Sequence, residues 1–422
     1  MRIINDEVEF FSLFSNKCSL CGKDIFDSVM NIAIDKENDC KQCNDIYNEL
    51  NEYWYKMTGK KNELNLIAKN FRARLMLKKI FKSYGYIGFH KPLILPSAIK
   101  LEVTNMCNLN CKHCLASSNI LDKEELSIDQ IKELLLQAKD LGVNSIAIVG
   151  GEPLLRKDLK EIIDFICELN MFYSVSTNGT LINEDTINII KRKNLTKVSI
   201  SLDGDKEFHN NLRGNDNAYD NTLRGIKILH DNDIEVAIAM VITKNNFNMI
   251  EHVINKSINN GVNYFVINDL IPIGRGKDIK NICISNEEYI ELNNKMREYS
   301  IKYKDKIDIL WKGMNPNGKK DSEFGSFIRS KCGAALTEIT IDNKGYVLPC
   351  PFLPRTNENI KNKSLKDIWF FSEELYVYQN RNDLEGKCGL CERKLSCSGC
   401  RARALGHSNN IKAEDIRCPK TY

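Results

Sequence analysis

Three cysteines stand close together in the segment TNMCNLNCKHCLA (residues 104–116), at Cys107, Cys111 and Cys114. Zinc and cubane iron–sulfur clusters usually take four protein ligands, so three thiols either recruit a distant fourth ligand or leave one metal position open. An open position suits catalysis, because a substrate or cofactor can bind the metal there directly. The spacing alone also fits a zinc knuckle or a ferredoxin-like cluster that is completed from elsewhere in the chain.

A second group of seven cysteines lies towards the end of the chain, at Cys332, Cys350, Cys388, Cys391, Cys397, Cys400 and Cys418. Seven thiolates exceed the needs of one four-cysteine cluster and fall one short of two. The segment TEITIDNKGYVLPC predicts a hairpin with Asn343-Lys344-Gly345 at its turn, so that Cys350 follows a strand. A structural zinc domain is the alternative, and the odd number of cysteines argues against it.

A third group consists of two C-x2-C pairs separated by eighteen residues, at Cys18, Cys21, Cys40 and Cys43. This spacing is typical of a tetrahedral four-thiolate Zn2+ site, and a mononuclear iron is the alternative because the ligand set is the same. We expect its role to be structural. Two cysteines remain: Cys167 occupies an apolar helix position and is expected to be buried, while Cys283 stays unassigned.

The bulk composition limits the class of protein. Sixteen cysteines in 422 residues favour metal or iron–sulfur ligation if the chain is cytoplasmic, where disulfides are disfavoured. The opening MRIINDEVEF lacks a long apolar core, and no segment has 18 uninterrupted apolar residues, so we expect a cytoplasmic protein without signal peptide or transmembrane segment. A net charge of +4 gives no support for a nucleic-acid partner.

The middle of the chain alternates short β-branched runs with amphipathic helical stretches. The strands are predicted at residues 98–104, 145–150, 172–177, 197–202, 235–243 and 263–269, and the helices at 128–142, 158–170, 184–194, 219–232 and 248–261. Six such repeats favour a parallel sheet, either doubly wound or barrel-like. Polar residues alternate along some strands, as at Lys100, Glu102, Ser199 and Ser201, and this favours a barrel with a wet interior.

The residues able to do chemistry follow the ends of these strands. The cysteine loop follows the first strand, GGEP (150–153) the second, TNG (177–179) the third, LDG (202–204) the fourth and PIGRG (272–276) the sixth. Parallel α/β folds place their active sites at this edge. Gly150 and Gly151 would let the backbone approach a bound ligand closely, and Glu152 could accept hydrogen bonds from an amine.

These motifs, together with STNG, SLDG and HNNLRG (209–214), resemble the radical SAM superfamily over residues 98–276. The resemblance implies an α/β fold containing a partial (β/α)6 barrel, with a 4Fe-4S cluster on Cys107, Cys111 and Cys114. It implies that S-adenosyl-L-methionine chelates the open iron and is cleaved reductively to a 5′-deoxyadenosyl radical, which abstracts hydrogen from the substrate. The electron would come from a reductase such as flavodoxin or ferredoxin.

The same resemblance suggests which residues hold the cofactor. The methionine amine would bind at Gly150, Gly151 and Glu152, the ribose side would be lined by Ser176, Asn178 and Ser201, and Arg213 would meet the carboxylate. His113 would pack near the adenine rather than ligate iron.

The cysteines at the end of the chain resemble the SPASM extension, which carries two auxiliary clusters. By resemblance, Cys388, Cys391, Cys397 and Cys418 hold the second cluster, and Cys332, Cys350 and Cys400 hold the first. Ser326 stands where some relatives have the missing cysteine. The fourth position of the first cluster is therefore either open or filled by water, Glu323 or Cys283. The motifs CSGCRARA and LPCPFLP resemble the branch containing haem and haem d1 biosynthesis enzymes.

We therefore expect four regions: a metal-binding and helical region (1–90), the radical SAM core (98–276), a connector with a helix at 287–303 (277–331) and the SPASM domain (332–422). The expected function is hydrogen abstraction from a peptide, a protein or a tetrapyrrole-type small molecule. A non-catalytic iron–sulfur electron-transfer protein is the alternative, and a zinc-dependent nucleic-acid binder fits the charge poorly. The sequence names no acid or base; Glu102 and Asp269 are polar positions on strand-like runs.

Overall fold

The computed structural model describes a nine-stranded sheet and the helices around it. The described residues are 3–4, 7–8, 39–41, 43–45, 47–48, 51, 96–118, 124–311, 332–381, 383–392, 394, 397 and 399–418. Cys18 and Cys21 of the predicted four-thiolate site, and Glu323 and Ser326, lie outside these residues.

The sheet runs through most of the described chain. Its strands are β1 (Ala98–Glu102), β2 (Ser145–Val149), β3 (Phe172–Thr177), β4 (Leu195–Ser201), β5 (Val236–Ile242), β6 (Tyr264–Asp269), β7 (Asp308–Trp311), β8 (Glu338–Ile341) and β9 (Val347–Leu348). The order across the sheet is β9-β8-β1-β2-β3-β4-β5-β6-β7, and every pair is parallel except β8 with β9. The six predicted strands are thus confirmed as neighbours in chain order. Ile3–Ile4 and Glu7–Val8 form a separate antiparallel pair.

Helices connect the strands and cover the sheet. They are α1 (Ile128–Asp140), α2 (Leu159–Glu168), α3 (Glu184–Ile190), α4 (Lys206–Arg213), α5 (Ala218–Asp231), α6 (Ile250–Asn259), α7 (Asn286–Lys302), α8 (Leu365–Phe371), α9 (Glu373–Gln379), α10 (Gly386–Leu390) and α11 (Arg401–Ser408). Short 3-10 turns lie at Pro153–Leu155, Lys244–Met249, Gly274–Lys277 and Lys280–Ile282. No helix among the described residues is long and apolar enough to cross a membrane.

Local sequence accounts for the ends of α1. Ser127 caps the helix and forms a reciprocal capping box with Gln130, and the backbone turns left-handed at Gly142, where φ is 92°. Both ends agree with the sequence prediction. The buried face consists of Ile131, Leu134, Leu135 and Ala138, and a fully buried leucine or isoleucine side chain contributes about 1.5–3 kcal/mol.

The two faces of the sheet differ in polarity. Ile99, Leu101, Ile146 and Ile148 are buried, with relative exposures of 1% or less, within the apolar core that the helices also join. The opposite face is half-buried, and the register aligns Lys100 with Ala147 and Ser174, and Ser176 with Ser199. The predicted polar interior is therefore confirmed. Because β7 and β9 lie at opposite ends of the strand order, the sheet is an open, partial barrel.

Two parts of the sheet come from outside the six predicted strand–helix repeats. Strand β7 pairs with β6, and β8 pairs with β1 in parallel, although the two strands come from the ranges predicted as connector and SPASM domain. The predicted hairpin is confirmed by the antiparallel pairing of β8 with β9 and by Gly345, whose φ is 93°. The predicted helix in the connector is also confirmed, as α7.

Candidate active site at the cysteine loop

The cysteine loop after β1 is held on one side by the GGEP turn. The Gly151 amide donates to the Thr104 carbonyl at 2.8 Å, and the Glu152 amide donates to the Met106 carbonyl at 2.7 Å. A Cβ atom at Gly151 would overlap the Met106 carbonyl oxygen, and one at Gly150 would overlap that of Thr104. The glycines therefore allow close approach of the cysteine loop itself, a neighbour that the sequence did not identify.

The other side of the loop is held by α4 and by the PIGRG segment. Asn110 and Lys112 donate backbone hydrogen bonds to the last carbonyls of α4, at 3.2 and 2.9 Å. The Arg275 side chain donates to the Cys111 carbonyl at 2.8 Å, and its amide donates to the Cys114 carbonyl at 3.0 Å. Three separate segments thus fix the backbone that carries the three thiols.

The thiols themselves suit a group that brings positive charge. Cys111 is buried, and Cys107 and Cys114 are half-buried. Burial raises the pKa of Cys107 to about 11, and the neighbouring Cys111, Glu152 and Cys114 raise it further. Iron supplies the compensating charge and accepts soft thiolate ligands, so the donor set fits an iron–sulfur cluster. In the described part of the chain, no three His, Cys, Asp or Glu side chains are placed to hold a single ion.

Glu152 is fully buried and links the second strand end to the third. Its carboxylate accepts a hydrogen bond from the Thr177 hydroxyl at 2.7 Å and from the Asn178 amide at 2.8 Å. Burial raises its pKa. The side chain of Asn178 donates to the Asn108 side chain at 2.8 Å, inside the cysteine loop. The Leu154 amide also donates to this carboxylate, at 3.2 Å, so the protein uses three of its acceptor positions and an amine would meet the remaining one.

The predicted ribose-side serines lie on the half-buried face of the sheet. Ser176 is near the end of β3, and Ser201 is the last residue of β4. The structure therefore brings the cysteine loop, the GGEP turn and both serines to one edge of the sheet, as the strand-end motifs predicted.

Arg213, the predicted carboxylate contact, forms a buried ion pair at the end of α4. Its Nη2 and Nε atoms lie 2.6 and 2.7 Å from Oδ2 of Asp203, while Nη1 lies 3.8 Å from the Cys111 sulfur. Burial acts to raise the pKa of Asp203, but Arg213 and the other surrounding groups outweigh it and hold that pKa below its ordinary value. The charge of Arg213 is therefore largely offset by the protein itself.

His113 lies between the last two cysteines of the loop and is neutral. Its Nδ1 atom is enclosed and has no hydrogen-bond partner among the described residues. Burial, aided by the charge of Arg213, lowers its pKa to about 3. A neutral, unpaired imidazole is compatible with packing against an adenine ring, as the family resemblance implies.

A cavity of about 910 Å³ opens beside the cysteine loop. It is bounded by Asn105 and Leu115 of that loop, by the segment after β6, by the β8–β9 hairpin and by α11. Most of its wall is apolar, including Pro272, Ile273, Leu348, Phe352, Leu353 and Leu405. Its basic lining residues are Lys277, Lys280, Lys344, Arg355 and His407. A cavity of this size and lining can hold a substrate with an apolar body.

Two carboxylates also line this cavity, Glu102 and Asp342. Burial raises the pKa of Glu102 to about 7, and the charge of Asp342 raises it further. Within the described parts of the chain, no hydrogen bond or ion pair engages the Glu102 carboxylate. A titratable group of this kind in a cleft is a candidate for proton transfer or substrate binding.

Some of the cysteines after residue 331 lie near one another. The charges of Cys332 and Cys400 act on Cys350, whose pKa is raised to about 12, mainly by burial. The Cys388 sulfur lies 3.4 Å from the Asp415 amide and 3.5 Å from Nη2 of Arg401. The assignment of these cysteines to two auxiliary clusters stays a prediction.

The unassigned cysteines have ordinary surroundings. Cys283 is buried, and its sulfur lies 3.6 Å from the Leu270 carbonyl oxygen, beside Asp269 and Arg417. Cys167 is half-buried rather than fully buried and packs against the apolar core.

Sequence reasoning missed Glu125. Its Oε1 atom accepts hydrogen bonds from the Thr104 hydroxyl at 2.9 Å, the Asn105 amide at 2.7 Å and the Asn343 side chain at 3.3 Å. Glu125 therefore joins the start of the cysteine loop to the hairpin turn. Nothing in the sequence distinguishes this acid from its solvated neighbour Glu124.

Comparison with known proteins agrees with this geometry. The model of the radical SAM superfamily matches residues 101–256, and that of the SPASM iron–sulfur cluster-binding domain matches residues 332–400. The AdoMet-dependent heme synthase of Nitratidesulfovibrio vulgaris is 30% identical over 334 residues, which cover 76% of this chain and 91% of the synthase. The chain belongs to the radical SAM superfamily. Like its relatives, this radical SAM protein is an enzyme.

Two further similarities help to describe this radical SAM enzyme. The subtilosin biosynthesis protein AlbA of Bacillus subtilis is 29% identical, with 71% of this chain and 68% of AlbA covered. Streptococcus suis SuiB, solved with bound S-adenosylmethionine, superposes with a TM-score of 0.67 at 20% identity, covering 94% of this chain and 93% of SuiB. The latter likeness shows the fold.

Proposed function

We propose that this enzyme binds a 4Fe-4S cluster at Cys107, Cys111 and Cys114 together with S-adenosyl-L-methionine, and abstracts hydrogen from a substrate in the 910 Å³ cavity. When bound, the cluster supplies the electron that cleaves the sulfonium and releases the 5′-deoxyadenosyl radical. The observation that carries the proposal is that Asn105, Leu115 and Ala116 of the cysteine loop line this cavity. Substrate there lies next to the site of radical formation.

The protein's own residues position the reacting groups. Gly151, Arg275 and α4 hold the loop backbone, and Glu152 offers acceptor positions for the cofactor's amine. The buried Arg213–Asp203 pair keeps a guanidinium beside the Cys111 sulfur. The apolar side chains of the cavity wall would pack against an apolar part of the substrate and hold it beside the loop.

The substrate class that the cavity fits best is an apolar molecule that carries carboxylates, such as an iron porphyrin. Apolar side chains form most of the wall, and Lys277 and Lys280 supply cationic groups. The AdoMet-dependent heme synthases that resemble this chain, at 28–30% identity, support this choice.

A peptide is the second candidate substrate, and one observation favours it. Glu102 and Asp342 line the same cavity and suit amide or amine donors better than further carboxylates. The similarity to AlbA and to the sporulation killing factor maturation protein SkfB of Bacillus subtilis supports this candidate.

The other metal sites belong to the same proposal. Cys332, Cys350 and Cys400 would hold the first auxiliary cluster, and Cys388, Cys391, Cys397 and Cys418 would hold the second. A Zn2+ or iron ion would stabilise the region that contains Cys18, Cys21, Cys40 and Cys43, and flavodoxin or ferredoxin would deliver electrons.

Cofactor cleavage is tested with anaerobically reconstituted protein, dithionite and S-adenosyl-L-methionine, with 5′-deoxyadenosine measured by chromatography. We expect formation in the wild type and none when Cys107, Cys111 and Cys114 are all replaced by alanine, with the iron bound elsewhere retained. Cys167→Ala is the matched control and should behave as wild type. Cleavage that survives the triple substitution would contradict the cluster assignment.

The substrate class is tested by titrating the protein with iron coproporphyrin III and following the Soret absorbance. We expect saturable binding that weakens severalfold in the Lys277→Ala/Lys280→Ala variant, since each exposed ion pair contributes up to about 1 kcal/mol. Lys227→Ala, on the exposed side of α5, is the control. Absence of saturable binding would reject the porphyrin and leave the peptide candidate, for which deuterium transfer from labelled peptides into 5′-deoxyadenosine is the assay.

A further inference from the structure

Three buried arginines each lie near cysteines that are proposed cluster ligands. Arg213 lies beside Cys111, and Arg401 donates to the Cys388 sulfur at 3.5 Å. Arg381, which follows α9, lies where the charges of Cys332, Cys397 and Cys400 act on it. The three side chains have relative exposures of only 7%, 5% and 3%, so none is an ordinary solvated arginine.

Arg381 differs from Arg213 in that no carboxylate among the described residues forms an ion pair with it. Arg213 has the Asp203 carboxylate at 2.6 Å. Among the described residues, Arg381 makes a long hydrogen bond, 3.5 Å from Nη2 to the Ala334 carbonyl, and its Nε atom has no partner there. No carboxylate in the described part of the chain pairs with it.

A buried, unpaired guanidinium is costly, and structures that keep one usually supply an anion. Gln379, two residues before Arg381, is buried as well, and among the described residues neither polar atom of its amide has a partner. The Nε atom of Arg381 and the Nε2 atom of Gln379 are therefore buried donors of the kind that an anionic group satisfies.

We propose that Arg381 is the counter-cation of the first auxiliary cluster and raises its reduction potential. A 4Fe-4S cluster held by thiolates is an anion, and one-electron reduction adds one more negative charge. A fixed cation next to it favours the reduced form, as charge and hydrogen bonding around a cluster generally do. This inference depends on the proposed cluster at Cys332, Cys350 and Cys400, and it assigns Arg381 a positioning and electrostatic role rather than a catalytic one.

The test is a potentiometric titration followed by electron paramagnetic resonance. It uses full-length reconstituted protein with Cys107, Cys111 and Cys114 replaced by alanine, so that only auxiliary clusters contribute. The signal that disappears in a further Cys350→Ala variant identifies the first auxiliary cluster. We expect Arg381→Met to lower the midpoint of that signal by at least a tenfold change in the reduction equilibrium, which is 59 mV for one electron. Arg381→Lys should retain most of the wild-type midpoint.

Two controls separate this effect from general damage. Arg224→Met removes an exposed arginine that makes a similar 3.5 Å bond to the Thr180 carbonyl, and it should leave the midpoint unchanged. Arg381→Lys, which keeps the positive charge at this position, serves as the second control.

An unchanged midpoint in Arg381→Met, with the cluster present, would overturn the inference. If Arg381→Met fails to assemble the cluster, Arg381→Lys decides the question. A cluster and midpoint retained in Arg381→Lys support the need for a positive charge at this position. Loss of the cluster in both variants rejects that need. If the parent protein with intact Arg381 lacks a Cys350-dependent signal, the proposed cluster itself is wrong and the inference falls with it.

Discussion

Glu102 and Asp342 lie side by side in the sheet although 240 residues separate them in the chain. The parallel register aligns Leu101 of β1 with Ile341 of β8, and each carboxylate is the next residue along. Both line the cavity beside the cysteine loop. The pairing of β1 with β8 thus creates an acidic pair at the proposed substrate site.

Glu102 should hold its proton to about pH 7 in the native protein, because burial and then the charge of Asp342 raise its pKa. Infrared difference spectroscopy should show a protonated carboxyl band that is lost between pH 6 and pH 8. The band should be absent in Glu102→Gln. Asp342→Asn should move the loss to lower pH, because it removes a like charge; an unmoved transition would contradict the coupling.

The same shift predicts how stability depends on pH. An ordinary glutamate has a pKa of 4.5, so between that value and about 7 the native state holds a proton that the unfolded state has released. The contribution of Glu102 to stability therefore falls as pH rises through this window. Between pH 5 and pH 8, the free energy of unfolding of Glu102→Gln should rise relative to that of wild type by up to about 3 kcal/mol. Chemical unfolding at each pH measures it, and a constant difference would refute it.

Gly151→Ala should displace the cysteine loop, since the new Cβ would overlap the Met106 carbonyl oxygen next to Cys107. We expect the free energy of unfolding to fall by about 1–3 kcal/mol. Formation of 5′-deoxyadenosine should fall by more than this loss of stability alone would cause. Gly276→Ala is the milder comparison, because its Cβ would make a close contact of 3.2 Å with the Ile271 carbonyl oxygen rather than an overlap. Equal activity in the two variants would show that close packing of the GGEP turn is not required.

Arg213→Met should destabilise the protein by about 3–5 kcal/mol, because it leaves the fully buried Asp203 carboxylate without its partner. Adding Asp203→Asn should restore part of that loss by removing the unpaired charge. Denaturant unfolding of the two single variants and the double variant measures the coupling. Strictly additive losses would mean that the pair contributes nothing as a pair.

Glu125→Ala should lower the free energy of unfolding by about 1–3 kcal/mol, because three donors in the cysteine loop and the hairpin turn lose their shared acceptor. Glu124→Ala is the matched control, since the side chain of this exposed residue forms a salt bridge with Lys344 and such pairs contribute at most about 1 kcal/mol. Unfolding midpoints should therefore separate the two neighbouring variants. If Glu124→Ala lowers the free energy of unfolding as much as Glu125→Ala does, the proposed link between the cysteine loop and the hairpin turn through Glu125 is wrong.

Local patterns in the sequence were sufficient for much of the framework. The six parallel strands, the capped start of α1 at Ser127 and the hairpin turn at Gly345 all follow from periodicity and turn chemistry over short stretches. The strand-end positions of the cysteine loop and of the GGEP turn follow in the same way. Helix α4 and strand β7 were missed, because one carried a motif interpreted only as cofactor binding and the other is four residues long.

The sequence by itself determined that three cysteine groups exist and that one of them opens a parallel α/β core, because cysteine spacing and hydrophobic periodicity are local properties. Only the tertiary structure decided that β8 completes the edge of the sheet beside β1, that Glu102 meets Asp342, and that Arg381 lies among Cys332, Cys397 and Cys400. These relationships join distant parts of the chain. They depend on how strands pair and which surfaces become buried together, and no short stretch of sequence encodes that choice.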